Sequence, residues 1–138
     1  MLRTYFMLFV VTAWTMVSCS HQPDTHTAVT VRTIEISDVV KPKVLYVNPG
    51  DEVRWQNLRS NPVRLGFLST RLLDEIGCEE GLESFFGEVH DIVIIPPGKS
   101  VSLCLLRSGD LQYNVWFDAE NIKGMISPTA TVRVEHQG

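Results

Sequence analysis

The sequence has few of the residues that usually carry metal, redox or hydrolytic chemistry. Its 138 residues include 4 His, 3 Cys and 4 Met. No Cys-x-x-Cys pair or Cys/His cluster is present, which argues against a zinc site of common spacing and against thioredoxin-type chemistry. A Gly-x-Ser-x-Gly elbow, a phosphate-binding loop and paired catalytic carboxylates are also missing. The sequence therefore gives no reason to expect an enzyme.

Positive charge is also scarce. There are 12 Lys and Arg residues against 16 Asp and Glu residues, and the formal net charge is −4. The arginines Arg54, Arg59, Arg64 and Arg71 are spaced among Asn, Pro and Leu and form no basic patch. Binding to nucleic acid depends on clustered cations, so we expect no nucleic-acid partner.

The apolar run from Tyr5 to Val17 is too short for a transmembrane helix and follows the single positive charge of Arg3. This arrangement predicts a secretory signal peptide over residues 1–18. The segment Met16–Cys19, "MVSC", resembles a bacterial lipobox, which implies lipidation of Cys19. The alternative is an ordinary signal peptide that is cut nearby and leaves Cys19 as a free thiol.

The residues after Cys19 predict how the protein is held at a membrane. Ser20 in place of Asp resembles the Gram-negative sorting pattern for the outer membrane, with the protein facing the periplasm. Residues 19–28 are polar, contain Pro23 and lack apolar periodicity, which indicates a flexible tether. The folded domain should span residues 29–138.

Lipidation of Cys19 would leave Cys78 and Cys104 as a pair. In an oxidising compartment such a pair most simply forms a disulfide, which would contribute about 3 kcal/mol in the chain-entropy model. Two free buried thiols are the alternative.

Short apolar segments alternate with turn residues along the rest of the chain, a pattern typical of an all-β sandwich. Two of the turns are Asn48–Asp51, "NPGD", and Pro96–Lys99, "PPGK". Ser69–Gly77, "STRLLDEIG", breaks the pattern with a possible N-cap, three apolar residues and a terminal Gly, and it predicts one short helix in a connecting loop.

Three segments in order, "YVNPGDEVRWQN", "IIPPGKSVSLCL" and "GDLQYNVWF…GMISPTATVRV", resemble the cupredoxin family. The resemblance covers about residues 29–134. It implies a Greek-key β-sandwich that holds a mononuclear copper ion at one end and passes electrons.

The copper ligands that this resemblance implies are missing. Type 1 copper takes two imidazoles, a thiolate and a weak axial Met. The first imidazole position falls on Val63 or Arg64, the thiolate position on Val115, the second imidazole position on Asp118 and the axial position near Lys123. No His stands between Asp91 and Arg133, and Met125 is two places late. We therefore expect no type 1 copper, no metal and no other cofactor.

If the copper end is empty, binding would reside on its loops, of which Trp116–Asn121, "WFDAEN", offers two adjacent aromatic residues. Of the neighbours Trp116 and Phe117, one should be in the core and the other at the surface or loop edge, and the alternative is that both rings only pack. An ion pair between Arg64 and Asp118 could occupy the place of the metal.

These observations predict a non-enzymatic binding or structural module that is lipid-anchored in the cell envelope. Its partners would be the membrane, through the lipid, and an unidentified envelope protein, within a complex whose other members handle copper or electrons. The alternative is a copper-binding electron-transfer protein with unusual ligands drawn from His90, His136 and Met125.

Overall fold

The structure, a computed structural model, describes residues 29–69, 71, 73–82 and 92–136. These residues form β-strands joined by turns. The strands are β1 (Val31–Ile36), β2 (Val40–Lys41), β3 (Val44–Val47), β4 (Glu52–Asn57), β5 (Val63–Phe67), β6 (Ile76–Glu80), β7 (Ile92–Ile95), β8 (Ser100–Leu105), β9 (Gly109–Trp116) and β10 (Ala130–Val134).

The strands form two five-stranded sheets that pack as a sandwich, which confirms the all-β prediction. One sheet has the order β2-β1-β4-β8-β6 and the other β3-β10-β9-β5-β7. Parallel pairs occur between β1 and β4 and between β3 and β10, because the chain crosses from one sheet to the other. The remaining pairs are antiparallel.

Alternation along the strands produces the core. In β4, Val53, Trp55 and Asn57 are fully buried, and the residues between them are half-buried. The Trp55 ring meets Phe67 and Tyr113 of the other sheet edge-on, with ring centroids 5.7 and 5.6 Å apart. The residues of this core cluster lie between Ile34 and Val134, so a chain without residues 1–28 retains them.

The sandwich has two distinct ends. The turn at Asn48–Asp51 lies at the end where the chain enters, since the amide of Glu52 donates to the carbonyl of Thr30 just before β1. Residues 37–39, 58–62, 96–99 and 117–126 gather at the other end, which we call the loop end. Strand β9 contains 8 residues, so the two ends are about 26 Å apart.

The short helix predicted at Ser69–Gly77 is wrong. The described residues of this segment form a turn, and strand β6 begins at Ile76. Leu73 and Ile76, which the sequence pattern placed on one face of a helix, pack instead against the sandwich core. Pairing of β6 with β8 supplies long-range hydrogen bonds that override the local helix signal.

The predicted disulfide between Cys78 and Cys104 is confirmed. The two residues are direct register partners in β6 and β8, with Cα atoms 4.9 Å apart. This separation is in the usual range for disulfides. Cys104 is buried, whereas Cys78 lies on an exposed edge strand.

The signal peptide at 1–18, Cys19 and the tether at 19–28 lie outside the described residues and stay predictions, and His90 also lies outside them. In the part of the chain that the structure describes, no helix is long and apolar enough to cross a membrane.

Candidate functional site

Two of the positions that the cupredoxin layout assigns to copper ligands are core positions. Val63 begins β5 and Val115 is the last residue but one of β9, so both lie near the loop end of neighbouring strands. Both side chains are fully buried. The amide of Val115 donates to the Ser127 hydroxyl, 2.9 Å away, which fixes the strand without involving the valine side chain.

Asp118 and Lys123 are exposed residues of the loop after β9. A carboxylate oxygen of Asp118 accepts a hydrogen bond from the amide of Glu120 at 3.0 Å. The amide of Lys123 donates to the side-chain oxygen of Asn121 at 3.2 Å. Both contacts belong to local turns, in which Asp and Asn side chains accept from amides two residues further along.

Arg64 connects β5 to this loop. Its Nη2 donates a 2.9 Å hydrogen bond to the carbonyl of Ala119, and the amide of Ala119 donates in turn to the carbonyl of Pro62 at 3.1 Å. The ion pair suggested between Arg64 and Asp118 is not among the ion pairs of the described residues. Instead, the Arg64 guanidinium donates to the Ala119 carbonyl, and an Asp118 carboxylate oxygen accepts from the Glu120 amide.

Asn61 makes a second connection. Its Nδ2 donates to the carbonyl of Phe117 at 2.8 Å. Asn61 is itself held by Asn57, which is fully buried at the end of β4 and whose Nδ2 lies 3.0 Å from the Asn61 carbonyl. The same Nδ2 lies 2.9 and 3.2 Å from the carbonyls of Ile95 and Pro96, so Asn57 joins three segments of the loop end.

Arg59 adds a third connection. Its Nη1 lies 3.0 Å from both the Ser37 carbonyl and a carboxylate oxygen of Asp38. The guanidinium carbon lies 5.2 Å from the centroid of the Phe117 ring, within the range of a cation–π contact. We call the contacts of Arg59, Asn61 and Arg64 with residues 117–119 the loop clamp.

The loop itself closes on Gly124 and Met125. The amide of Phe117 donates to the carbonyl of Met125, and the amide of Gly124 donates to the carbonyl of Asn121. A Cβ atom at Gly124 would lie 2.9 Å from that same oxygen, which explains why the loop needs glycine there. Phe117 is 7% exposed and belongs to the core, whereas Trp116 is half-buried with its ring over Gly66, so the two neighbours differ less than expected.

The fold resembles solved structures of amicyanin. A reduced amicyanin with a Trp-to-Tyr substitution aligns with a TM-score of 0.52 and 18% identity over 76% of this chain and 82% of that one. An oxidised amicyanin with a Met-to-Lys substitution aligns with a TM-score of 0.51 and 19% identity over 78% and 82% of the two chains. The fold is cupredoxin-like. No protein-family model and no curated protein sequence matches the chain.

A cupredoxin-like fold implies a copper site at the loop end, but the side chains there do not fit copper. Val63 and Val115 offer only aliphatic carbon. The Arg64 guanidinium is positively charged and has no acceptor atom that could bind a metal ion. Cys104 is in the disulfide and lies at the other end of β8. Among the described residues, no three His, Cys, Asp or Glu side chains come together as a possible metal site.

The unusual ligands considered from the sequence are also separated in this cupredoxin-like sandwich. Met125 lies at the loop end, next to the bridge between Trp116 and Ile126. His136 follows β10 at the opposite end, where Val134 pairs with Gly109. The five residues of β10 alone span about 16 Å, far more than one metal ion can bridge.

Sequence reasoning, which searched for metal ligands, named Arg64 only as a former ligand position and missed the loop contacts of Arg59 and Asn61. No role was assigned to Asn57 or Asn61 from the sequence, although Asn57 holds Asn61 in place. A signal was available for the asparagines, because Asn side chains commonly form hydrogen bonds with main-chain groups in turns. The loop acceptors of Asn61 and Arg64 lie more than 50 positions further along the chain and could not be identified from the sequence alone.

Proposed function

We propose that this protein is a lipid-anchored module of the cell envelope that binds a partner through the loop end of a cupredoxin-like sandwich, without catalysis and without type 1 copper. The observation that carries the proposal is the contact of Arg64 with Ala119. A residue at one former ligand position ties β5 to the loop after β9 through a hydrogen bond. A copper ion would otherwise make this connection.

The position of the chain entry supports binding at the loop end. The proposed tether, residues 19–28, enters β1 at the end opposite the loop end, and ten residues reach at most about 35 Å. The loop end lies about 26 Å from the point where the tether joins the sandwich, so attachment of the tether does not cover it. It is open to an envelope protein in the periplasm, and we expect that partner to belong to a complex that handles copper or electrons.

Metal analysis of the purified chain 20–138 tests the copper-free part of the proposal. After exposure to Cu(II) and removal of excess metal, we expect substoichiometric copper and no strong visible absorption. One copper ion per chain, together with the intense visible absorption of blue copper proteins, would refute the copper-free part of the proposal and favour an electron-transfer protein.

Cell fractionation tests the anchor. Cys19→Ala should move the protein out of the outer-membrane fraction, since the acyl chains that hold it there can no longer be attached. Ser20→Ala is the matched control and should stay in the outer membrane, whereas Ser20→Asp should shift the protein to the inner membrane. Retention of Cys19→Ala in the outer membrane would exclude lipidation as the anchor.

A further inference from the structure

An apolar groove of about 310 Å³ opens at the loop end, between the turn after β1 and the loop after β9. Its floor is formed by Phe117 and Ala130, which are 7% and 1% exposed. Its walls include Val39, Met125 and Ile126, which are 49%, 72% and 44% exposed. Apolar side chains of this size that remain open to water around a concave site are typical of a ligand pocket.

Two charged residues line the same groove, and their states differ. The Asp38 carboxylate is open to water and forms an ion pair with Arg59 at 3.0 Å. Lys43 is exposed, and none of the ion pairs among the described residues includes it. Its backbone is fixed, because its carbonyl accepts from the amide of Thr131. Lys43 is therefore the charge in the groove that no ion pair of the described residues includes, and it stands beside an apolar surface.

The loop clamp holds this groove in shape. The amide of Phe117 is bonded to Met125, and its carbonyl is bonded to Asn61. One floor residue and one wall residue are thus connected through the main chain. A pocket formed before the ligand arrives avoids part of the ordering cost of binding.

We propose that the groove binds a small anionic amphiphile, with the apolar part against Phe117 and Met125 and the negative group at Lys43. The volume lies at the lower end of the range for small-molecule pockets, which suits a single short chain or ring system. The flexible Met125 side chain can adapt to such a ligand. This inference rests on the proposed function in that it names the ligand class of the same loop end.

The test uses the chain 20–138, which retains the core residues, with 8-anilinonaphthalene-1-sulfonate as a fluorescent probe and octanoate as a competitor. We expect saturable binding of one probe per chain, displaced by octanoate. Met125→Ser and Lys43→Gln should each weaken binding by about fivefold, through lost apolar contact and a lost charge pair respectively. The controls Ile122→Ser and Lys123→Gln alter exposed residues of the same loop that do not line the groove, and both variants should bind the probe as the wild type does.

Octanol provides a test of the role of charge. It should compete in the wild type and in Lys43→Gln with equal, weak affinity, because it lacks the negative group. Near-UV circular dichroism of each variant establishes that the sandwich is folded, so that probe binding does not report exposed core.

Three outcomes would overturn the inference. They are absence of saturable binding, equal losses in the Ile122 and Met125 variants, and a concentration-dependent dimer that Met125→Ser dissociates, since a second copy would then fill the groove. None of them changes the copper content or the membrane fractionation, so they are distinguishable from failure of the proposed function. Copper found in the metal analysis would in turn refute the proposed function and leave the probe titration unaffected.

Discussion

The Nη2 atom of Arg64 lies 2.9 Å from the carbonyl oxygen of Ala119 and joins two segments that are 55 residues apart in the chain. In a type 1 copper centre the metal crosslinks the corresponding loops through its ligands. Here the connection is made by a charged donor and a main-chain acceptor, supported by the bond between the Ala119 amide and Pro62. These two hydrogen bonds tie the loop after β9 to β5 and the residue before it through protein groups.

Arg64→Ala should loosen the loop without unfolding the sandwich. Hydrogen bonds from charged groups contribute about 1.5–3 kcal/mol, and Arg64 is half-buried, so we expect the free energy of unfolding to fall by about 1 kcal/mol. Urea unfolding measures this loss. Amide hydrogen exchange should accelerate at Ala119 and remain slow at Val115.

Arg54→Ala is the matched control for Arg64, because Arg54 pairs with Glu52 on the strand β4 and does not touch the loop. It should leave exchange at Ala119 unchanged. Equal exchange at Ala119 in the wild type and in Arg64→Ala would contradict the role given to this arginine.

Asn57→Ala should be far more costly. The side chain is fully buried, its Nδ2 lies near three carbonyl oxygens and its Oδ1 accepts from the amide of Arg59. Truncation leaves these groups unpaired, and we expect the free energy of unfolding to fall by about 3 kcal/mol. Gln56→Ala, a neighbour on the other face of β4, should change it by less than about 0.5 kcal/mol. A loss below about 1 kcal/mol for Asn57→Ala in urea unfolding would contradict this prediction.

The fold was predictable where local pattern and long-range pairing agree. Turns with Gly50 and Gly98 at positive φ, and the alternation of Val53 and Trp55, follow from residue types alone. The segment Ser69–Gly77 was misassigned because its apolar spacing suits a helix, whereas Ile76 joins a strand held by β8 and by the Cys78–Cys104 disulfide. The residues of this segment alone do not indicate that pairing with β8 outweighs their helical spacing.

The candidate site was predictable only in part, for a similar reason. Resemblance to cupredoxins placed Val63, Val115 and Asp118 near the loop end, and the structure has them there. What those residues do depends on partners far away in the chain, such as Ala119 for Arg64. The Asp118 carboxylate and the Arg64 guanidinium suggested an ion pair. In the structure each forms a hydrogen bond with a main-chain group instead.

The disulfide should be a substantial part of the stability. Cys78 and Cys104 are 26 positions apart, so removing the crosslink should lower the free energy of unfolding by about 3 kcal/mol. The double variant Cys78→Ala, Cys104→Ala reports this loss in urea unfolding. Reduction of the wild type should raise the intact mass by two hydrogens, and free thiols at both positions without reductant would contradict the crosslink.

Tyr113 should make the protein sensitive to alkali. Burial raises the pKa of its hydroxyl above the ordinary value, and the nearby indole N–H of Trp55 offsets only part of that shift. The folded state therefore keeps Tyr113 protonated at a pH at which the unfolded chain releases the proton. The contribution of Tyr113 to the free energy of unfolding is fully present below a pH of about 10. It is lost as the pH rises further, by up to about 1.4 kcal/mol per pH unit.

Tyr113→Phe isolates this effect. The hydroxyl is buried and makes no hydrogen bond of good geometry with the residues that the structure describes, so its removal at pH 7 should change the free energy of unfolding by less than about 1 kcal/mol. Above pH 10 the variant should become more stable than the wild type, and the gap should widen with pH. Tyr46→Phe, at a position that is 46% exposed, is the control and should follow the wild-type curve. Parallel curves for the wild type and Tyr113→Phe from pH 7 to 11 would show that the buried hydroxyl does not control the alkaline loss.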